Sequence, residues 1–245
     1  MSEEYDPDNL LDRNTDQDTM QLHYDQVRRR EAAILERRLA GSGGDVLSVG
    51  CGWNPGRHMF GQPAWRMTGV ELQDTKPNAL VADGVLEAGF AGRAGELDLP
   101  AGSFDVVLYR LVLHHIAFQG PLAPAFDEAA RLLRPGGSLI AVEPGAWHPV
   151  GAALSMANRF GAGTAIHGTP DDIPLSPRRL MSEAQGAGLA PELHAVTYTW
   201  RRMPPAMQRG LWPMDDAMGS RRRSAAPGHT LMLIARRPRV SETSR

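Results

Sequence analysis

The segment VLSVGCGWNPG, residues 46–56, constrains the possible fold more than any other part of the sequence. Its first four residues form the mostly apolar run that a strand buried on both faces of a parallel sheet requires. Gly50 and Gly52 follow at once and carry no Cβ, so the backbone can bend sharply there and a ligand can come close. The segment therefore predicts a buried strand that ends in a tight turn.

A helix is predicted directly after this turn, because Asn54 is a favourable helix cap and Pro55 a favourable first helical residue. A second strand over 66–71 ends in Glu71, about 20 residues after the turn, and this spacing suits an acid that accepts both ribose hydroxyls of a nucleoside. The alternative is a surface acid at a strand end, but the pairing with the glycine turn favours the ribose role. Together these features indicate a nucleotide-type site at the carboxyl edge of a sheet.

Further apolar runs alternate with helical patterns along the chain. Extended segments are expected at 79–83, 104–109, 138–143, 193–200 and 229–236, and LVLHHI continues over 111–116. Helices are expected at 19–39 (capped by Asp18 or Thr19), at 121–133 and at 176–185 (capped by Ser176), and a loop or short helix at 84–95. This alternation predicts parallel strands joined by right-handed crossovers, so ligands should collect at the carboxyl ends of the strands.

The composition is that of a globular protein with one large core, since 42% of the 245 residues are hydrophobic and 22% are charged. We expect a mobile acidic tail over 1–18, a single domain over 19–238 and a short tail over 239–245. The net charge of −2 argues against a nucleic-acid partner. The one cysteine, Cys51, excludes an internal disulfide and fits a cytoplasmic location; no membrane span or apolar signal core is expected.

Two long insertions are expected within this domain, at 144–174 and 201–228, and the first contains no clear element. Both leave the ligand edge if the sixth strand is parallel to the others, so we expect them to cover the site as lids. Asp215 and Asp216 are expected to form a solvated pair rather than a metal site, because no third ligand lies at a useful spacing. The three arginines at 28–30 are expected to lie largely on a solvated helix face.

Four blocks of the sequence resemble the class I S-adenosylmethionine-dependent methyltransferases, especially the small bacterial enzymes that act on small molecules. The blocks are VLSVGCG at 46–52, GVEL at 69–72, LDLPAGSFDVVLYRLVLHHI at 97–116 and EAARLLRPGGSLIAVEP at 128–144. HTLMLIARRP at 229–238 is similar to the closing strand of that family. The resemblance implies an α/β, Rossmann-like, doubly wound fold: a mostly parallel seven-stranded sheet with helices on both faces and an antiparallel last strand.

The same resemblance implies S-adenosyl-L-methionine as the cofactor, with its methionine carboxylate near residues 50–52 and its ribose on Glu71. Its adenine is expected beside Glu96 and Leu97 or, alternatively, beside Asp83. The full set of residues expected to bind the cofactor is Gly50, Cys51, Gly52, Asn54, Glu71, Leu72, Asp83, Glu96, Leu97, Tyr109 and Arg110.

Methyl transfer to a hydroxyl is helped by a general base, for which histidine is the natural choice. The histidines on or near the expected ligand edge are His114, His115, His148 and His167. The first three are the candidate catalytic residues, although a bracing hydrogen bond is the alternative role for His114 and His115. Tyr109 and Arg110 follow the fourth strand and are expected to border the methyl group.

The predicted function is therefore methyl transfer of the EC 2.1.1 type to a small-molecule or sugar acceptor, most simply at oxygen, with N- or C-methylation as alternatives. A nicotinamide enzyme is disfavoured, because Pro55 occupies a position where the dinucleotide fingerprint needs glycine or alanine. A binding module of the same fold without catalysis is the remaining alternative. The expected partner is a small molecule or glycan, with no metal, and the expected state is a monomer or homodimer.

Overall fold

The computed structural model describes residues 16–39, 43–161, 173–219 and 221–239. The strands are β1 (Gly44–Val49), β2 (Trp65–Glu71), β3 (Ala88–Ala91), β4 (Phe104–Arg110), β5 (Leu133–Pro144), β6 (Ala190–Thr197) and β7 (Thr230–Arg236). The helices are α1 (Gln17–Arg38), α2 (Thr75–Ala82), α3 (Leu113–Gln119), α4 (Ala123–Leu132), α5 (Pro149–Arg159), α6 (Pro177–Gly186), α7 (Pro205–Met218) and α8 (Arg222–Ala225).

The described residues form one seven-stranded sheet in the order β3-β2-β1-β4-β5-β7-β6. Strands β1 to β5 pair with one another in parallel. Strand β7 runs antiparallel to both β5 and β6, so β6 has the direction of the other strands. The predicted fold class is confirmed. As a consequence, the carboxyl ends of six strands and the beginning of β7 meet at one edge of the sheet.

The sheet is covered on both faces because side chains alternate along its strands. On one face, α1 packs through Val27, Ile34 and Leu35 against a cluster that includes Val106 and Leu108 of β4. On the other face, α4 and α6 pack against the alternate residues of the same strand; this cluster includes Val107, Tyr109, Phe126, Leu132 and Leu180. The alternation along β4 therefore decides which of its side chains can reach a given helix.

Residues 79–82 form the end of helix α2 and Asp83 caps it, so the predicted strand is absent, and the extra strand, β3, lies within the segment predicted as a loop or short helix. A run of four apolar residues does not distinguish a strand from a helix turn, which explains the error. Gly89 of β3 lies beneath α2, where a Cβ would come within 2.5 Å of the Pro77 Cβ.

The helix predicted after Asn54 and Pro55 is also absent. Gly56 adopts a left-handed conformation with φ 81°, and only a three-residue 3₁₀ helix, Arg57–Met59, follows it. The Ser48 hydroxyl donates to the Pro55 carbonyl over 3.0 Å and ties this irregular loop to β1. The cap and proline signals were present, but a glycine in the next position interrupts the helical backbone.

Helices α1 and α6 lie close to their predicted bounds. Helix α1 begins at Gln17 and is capped by Asp16, whose carboxylate accepts a hydrogen bond from the Thr19 amide over 3.0 Å, so Asp18 and Thr19 are not its caps. Ser176 caps α6 as predicted, accepting from the Arg179 amide over 3.1 Å. Residues 1–15 and 240–245, most of the two predicted tails, lie outside the described residues.

Both predicted insertions contain helices. Helix α5 lies in the first, while α7 and α8 lie in the second. His148 caps α5, and Pro149 is its first residue. Proline suits this position because the N–H that it lacks would have no acceptor within the helix. Residues 162–172 of the first insertion lie outside the described part of the chain. Because β6 is parallel to β5, both insertions leave the same edge of the sheet.

A buried polar network joins α1 to α7. Asp215 is fully buried, and its carboxylate accepts hydrogen bonds from the Tyr198 amide (2.9 Å), the Thr197 hydroxyl (2.9 Å) and the Gln26 amide group (3.3 Å). Burial raises the pKa of Asp215, although these three bonds oppose the shift. Arg30 is also buried and pairs with Asp216 over 2.5 Å. The predictions of a solvated acidic pair and of solvated arginines are therefore wrong for Asp215 and Arg30.

No helix within the described ranges is both long and apolar enough to cross a membrane.

We expect Asp215→Ala to lower the free energy of unfolding by about 2–4 kcal/mol, because it leaves a buried amide and a buried hydroxyl without their acceptor. Urea denaturation measures this change. Asp127→Ala removes an exposed carboxylate from α4 and should change the free energy by less than about 0.5 kcal/mol. Equal losses in the two variants would contradict a structural role for the network.

Candidate functional site

A cavity of about 940 Å³ opens at the carboxyl edge of the sheet. Small-molecule sites usually measure about 300–1,000 Å³, so this one has room for a nucleoside and a second small molecule. We call the part formed by the loops after β1, β2 and β3 the nucleotide end. We call the part formed by Tyr24, Arg201, Arg202 and His229, with their neighbours, the arginine end.

The glycine turn after β1 forms the floor of the nucleotide end. Gly50 and Gly52 have φ values of 65° and 48°, a region that favours glycine. A Cβ on Gly50 would lie 2.4 Å from Cγ2 of Val112, so the turn after β1 is packed directly against the turn after β4. Cys51 continues the pairing with β2 by donating its amide to the Val70 carbonyl over 3.0 Å. This packing leaves the backbone of the turn facing the cavity.

Glu71 lies at the end of β2, on the wall beside this turn. Its carboxylate accepts the Gly52 amide over 3.1 Å and the Leu72 amide over 2.9 Å. These bonds fix the orientation of the carboxylate, and a carboxylate has about four acceptor positions in all. Glu71 can therefore accept two ligand hydroxyls in addition to the amides. Of the other predicted residues at this end, Cys51, Asn54 and Leu72 also line the cavity.

The loop after β3 forms the opposite wall of the nucleotide end. Glu128 of α4 holds this loop, because its carboxylate accepts hydrogen bonds from the Gly95 and Leu97 amides. Glu96 lines the cavity, whereas the Leu97 side chain is buried in the core. Leu97 therefore shapes the loop and does not line the cavity.

Asp83 does not belong to this cavity. It is the exposed C-terminal cap of α2, which returns from the carboxyl edge of β2 toward the amino end of β3. Asp83 therefore lies at the opposite edge of the sheet, and the alternative that placed it beside the ligand is wrong.

The turn after β4 is held by a buried carboxylate at the end of β5. Leu111 has a left-handed φ of 57°, which is unusual for a side chain of its size. Glu143 accepts the amides of Val112 and Leu113 over 3.0 and 2.8 Å, and its second oxygen accepts Nδ1–H of His114 over 2.6 Å. His114 is therefore a brace for this turn, which was the alternative role for it.

Tyr109 and Arg110 leave β4 on opposite faces. Tyr109 is fully buried, and its hydroxyl donates to the Ala125 carbonyl over 3.0 Å, so it does not border the cavity as predicted. Burial, reinforced by the nearby Glu128 charge, raises its pKa. Arg110 does line the cavity, where its Nε donates to Glu31 over 3.1 Å.

Glu31 is a fully buried carboxylate of α1 that contacts two side chains. Arg110 lies on one side, and Nε2 of His58 lies 2.5 Å away on the other. Burial alone would raise the pKa of Glu31, but Arg110 and His58 together lower it. The carboxylate thus stays ionised and fixes Arg110 in the cavity wall.

The remaining predicted histidines have different environments. His115 lines the cavity, and its ring lies beside that of His114, with 4.0 Å between ring centroids and an interplanar angle of 39°. His148 is buried and does not line the cavity: Nδ1 accepts the Val150 amide over 3.3 Å, so Nε2–H donates to the Tyr198 carbonyl over 3.2 Å. Burial lowers the pKa of His148, although the carbonyl opposes the shift. Its prediction as a base is wrong, and His167 lies outside the described residues.

The arginine end was not predicted as a site. Arg201 donates to the Tyr24 hydroxyl over 2.9 Å, and the ring of His229 contacts those of His23 and His148 edge-on, at centroid distances of 5.8 and 5.0 Å. One signal in the sequence could have revealed His229. An antiparallel last strand begins at the ligand edge, so the residue that precedes it must lie there.

The two histidines that line this end are neutral. Burial, and secondarily the charge of Arg201, lowers the pKa of His23 to about 3. Burial likewise lowers the pKa of His229 well below its usual value, and nearby His23, His148, Arg201 and Arg202 lower it further.

The comparisons with known proteins agree with this geometry. Residues 47–141 match a family model described as a methyltransferase domain. A probable S-adenosylmethionine-dependent methyltransferase of Mycolicibacterium smegmatis is 32% identical over 117 residues, which span 47% of this chain and 44% of that relative. The family model, this relative and the fold together support the predicted likeness to the class I S-adenosylmethionine-dependent methyltransferases. The predicted family and cofactor are thereby confirmed, while less than half of the relative's length is matched.

Solved methyltransferase structures resemble the fold of this chain over most of its length. A Thermotoga maritima methyltransferase described as a possible histamine N-methyltransferase has a TM-score of 0.59 at 16% identity, covering 88% of this chain and 95% of that one. Phosphoethanolamine N-methyltransferase 2 of Haemonchus contortus, in complex with S-adenosyl-L-methionine, has a TM-score of 0.57 at 16% identity, with coverage of 86% and 52%. At these identities the likeness concerns the fold.

The protein should lose stability steeply in acid because of His23. The unfolded chain binds a proton near pH 6.5, whereas the folded chain does so only near pH 3, so stability falls as the pH drops between these values. The loss is about 1.4 kcal/mol per pH unit for one such histidine. In urea denaturation at pH 7 and pH 5, His23→Gln should show a pH-dependent loss smaller than that of the wild type by about 2 kcal/mol. An identical loss in both proteins would contradict a buried neutral His23.

Proposed function

We propose that the protein transfers a methyl group from S-adenosyl-L-methionine to a small-molecule or sugar acceptor. The observation that carries the proposal is the carboxylate of Glu71, oriented by the Gly52 and Leu72 amides at the wall of a cavity that the glycine turn also faces. Two hydroxyls on adjacent ribose carbons are the natural ligands of such a carboxylate. When bound, the cofactor supplies an electrophilic methyl group on a sulfonium.

The residues present fit the cofactor in three respects. The turn at Gly50 and Gly52 presents backbone close to the ligand, Glu71 presents acceptors for the ribose, and the loop that carries Glu96 faces them on the adenine side. The size of the cavity leaves space beside the nucleoside for an acceptor. The task of the protein is then to align the acceptor and exclude water.

The same loop disfavours a dinucleotide cofactor. Dinucleotide sites hold the pyrophosphate at the N-terminus of an α-helix that begins in the glycine turn. In this chain the turn is followed by the 3₁₀ helix Arg57–Met59, and the next α-helix, α2, begins only after β2. The alternative of a non-catalytic binding module shares the cofactor site and differs only in the absence of methyl transfer.

Helix α5 and the segment after β6 support a small acceptor. Leu154 of α5 and Trp200 after β6 line the same cavity as Glu71. We propose that these two insertions cover the acceptor as lids, which restricts the site to molecules that fit beneath them. His115 is the proposed base for a hydroxyl acceptor, because it lines the cavity, whereas His114 braces the turn after β4 through its bond to Glu143.

Binding of S-adenosylhomocysteine tests the cofactor site directly. In a thermal-shift titration we expect S-adenosylhomocysteine, and not NAD, to raise the melting temperature. Glu71→Ala and the shape-conserving Glu71→Gln should weaken S-adenosylhomocysteine binding by about tenfold or more, since a hydrogen bond to a charged group contributes about 1.5–3 kcal/mol. Asp83→Ala, at the opposite edge of the sheet, should bind like the wild type.

Two outcomes would contradict the cofactor assignment: no stabilisation of the wild type by S-adenosylhomocysteine, or equal weakening by Asp83→Ala. If S-adenosylhomocysteine binds but no member of a panel of phenols, sugars and amines leads to its formation from S-adenosylmethionine, the binding-module alternative is favoured.

With an acceptor from that panel, His115→Gln should lower kcat by about 10²–10⁴-fold if the acceptor is a hydroxyl, because a general base contributes that much. A neutral amine acceptor is already nucleophilic and should be much less affected. His148→Gln should lower the melting temperature more than kcat, since His148 is bonded at both nitrogens to the backbone. Steady-state kinetics on a hydroxyl acceptor with kcat unchanged in His115→Gln would exclude His115 as the base.

A further inference from the structure

A chain of buried hydrogen bonds leads from Asp215 of α7 to His23 of α1, which lines the cavity. The Thr197 hydroxyl bonds the Asp215 carboxylate over 2.9 Å and the Thr199 hydroxyl over 2.8 Å. The Thr199 hydroxyl in turn lies 3.4 Å from Nδ1 of His23. All four side chains are at most 2% exposed, so they satisfy one another within the protein.

The carboxylate at one end of this chain fixes the direction of every bond. A carboxylate only accepts, so the single hydroxyl proton of Thr197 goes to Asp215. The bond between the two threonines must then use the hydroxyl proton of Thr199. With that proton committed, the Thr199 oxygen can only accept, so Nδ1 of His23 is the protonated ring nitrogen.

Nε2 of His23 is therefore a hydrogen-bond acceptor. Burial lowers the pKa of His23 to about 3, so the neutral ring carries one proton, and that proton lies on Nδ1. Nε2 has no hydrogen-bond partner among the described residues. A buried acceptor without a donor is unfavourable, and a ligand that brings a donor into the cavity removes this cost.

The His23 ring lies away from the nucleotide end and is held in place there. Tyr24 and His229 contact it edge-on, at centroid distances of 5.6 and 5.8 Å. His229 precedes β7, and three strand spacings separate β7 from β1, or about 14 Å at the usual spacing of paired strands. This part of the cavity is therefore available to the methyl acceptor rather than to the nucleoside.

We infer that the methyl acceptor carries a hydrogen-bond donor, an O–H or N–H group, which binds Nε2 of His23. His23 then determines specificity, while Asp215, Thr197 and Thr199 act through it as positioning residues. This inference rests on the proposed function and adds a chemical requirement on its substrate. A site built to bond a donor rejects the analogue that lacks it, because the buried acceptor is left unpaired.

The test uses the full chain saturated with S-adenosylhomocysteine. The probes para-ethylphenol, para-ethylaniline and para-ethylanisole share one apolar body and present an O–H donor, an N–H donor and no donor. In calorimetric titrations we expect para-ethylphenol to bind about tenfold or more tightly than para-ethylanisole, since the ether leaves Nε2 unpaired. Comparison of para-ethylphenol with para-ethylaniline identifies the preferred donor.

His23→Phe keeps a ring but has no ring nitrogen. It should remove the preference for para-ethylphenol over para-ethylanisole and leave the affinity for S-adenosylhomocysteine unchanged. His194→Phe is the matched control, because it makes the same change at another buried histidine, on β6 and outside the cavity. This control should keep the preference of the wild type.

The role of the threonines is tested by ¹⁵N NMR, which distinguishes a protonated from an unprotonated ring nitrogen. At neutral pH we expect Nδ1 of His23 to be protonated and Nε2 to be unprotonated. Thr199→Val removes the acceptor of the Nδ1 proton, so it should populate both tautomers and weaken para-ethylphenol binding about three- to tenfold. Thr199→Ser keeps the hydroxyl and should behave like the wild type. Thr199→Val also serves if His23→Phe does not fold.

The inference is overturned if para-ethylanisole binds as tightly as para-ethylphenol, if none of the probes binds, or if Nε2 of His23 carries the proton. Loss of the preference in His194→Phe would overturn it as well. Any of these results with S-adenosylhomocysteine still bound leaves the proposed function standing. If S-adenosylhomocysteine itself fails to bind, the proposed function fails. The same titrations and spectra on the ligand-free chain then still decide whether His23 binds a donor.

Discussion

Two carboxylates at strand ends hold the turns from which the cavity is built. Glu71 at the end of β2 accepts an amide from the turn after its neighbour β1, and Glu143 at the end of β5 accepts two amides from the turn after its neighbour β4. The two turns then meet where Gly50 packs against Val112. Neither turn can satisfy these amides within a helix or strand, so the carboxylates replace the backbone acceptors that regular structure would supply. Glu143 is fully buried and acts on the protein alone, whereas Glu71 is only partly buried and faces the cavity.

The irregular loop after Pro55 takes the place of the α-helix that often follows such a glycine turn. Where an α-helix begins in such a turn, its amides and dipole can bind an anionic group. In this chain the left-handed Gly56 prevents that helix, and the Ser48 hydroxyl holds the loop against β1. The fixed carboxylate and the loop that carries Glu96 are then the groups that the nucleotide end presents to its cavity. This arrangement suits a nucleoside without a pyrophosphate.

The sequence predicts a strand or a site residue correctly where the local pattern of apolar residues matches the position of the segment in the fold. The strands with long apolar runs, such as β1, β4 and β7, were predicted because burial on both faces demands such runs. The prediction of a strand at ALVAD, residues 79–83, was wrong, because its few apolar residues suit helix α2 equally well. The prediction that Tyr109 borders the methyl group was wrong for a different reason. Side chains alternate along a strand, so Tyr109 and Arg110 cannot both face the cavity, and the core contact with Ala125 selects Arg110.

The two ends of the cavity differ in how their residues are distributed along the chain. The nucleotide end is built from residues 50–96, which fall within the segment 47–141 that matches the methyltransferase domain. The arginine end combines Tyr24 of α1 with Arg201 and His229, which are far apart in the sequence and lie outside that segment. The buried bonds of Gln26 and Arg30 to α7 hold α1 in the position that brings Tyr24 to Arg201. The matched segment therefore supports the methyl donor of this protein, whereas the arginine end comes together only in the tertiary structure, since no local motif encodes it.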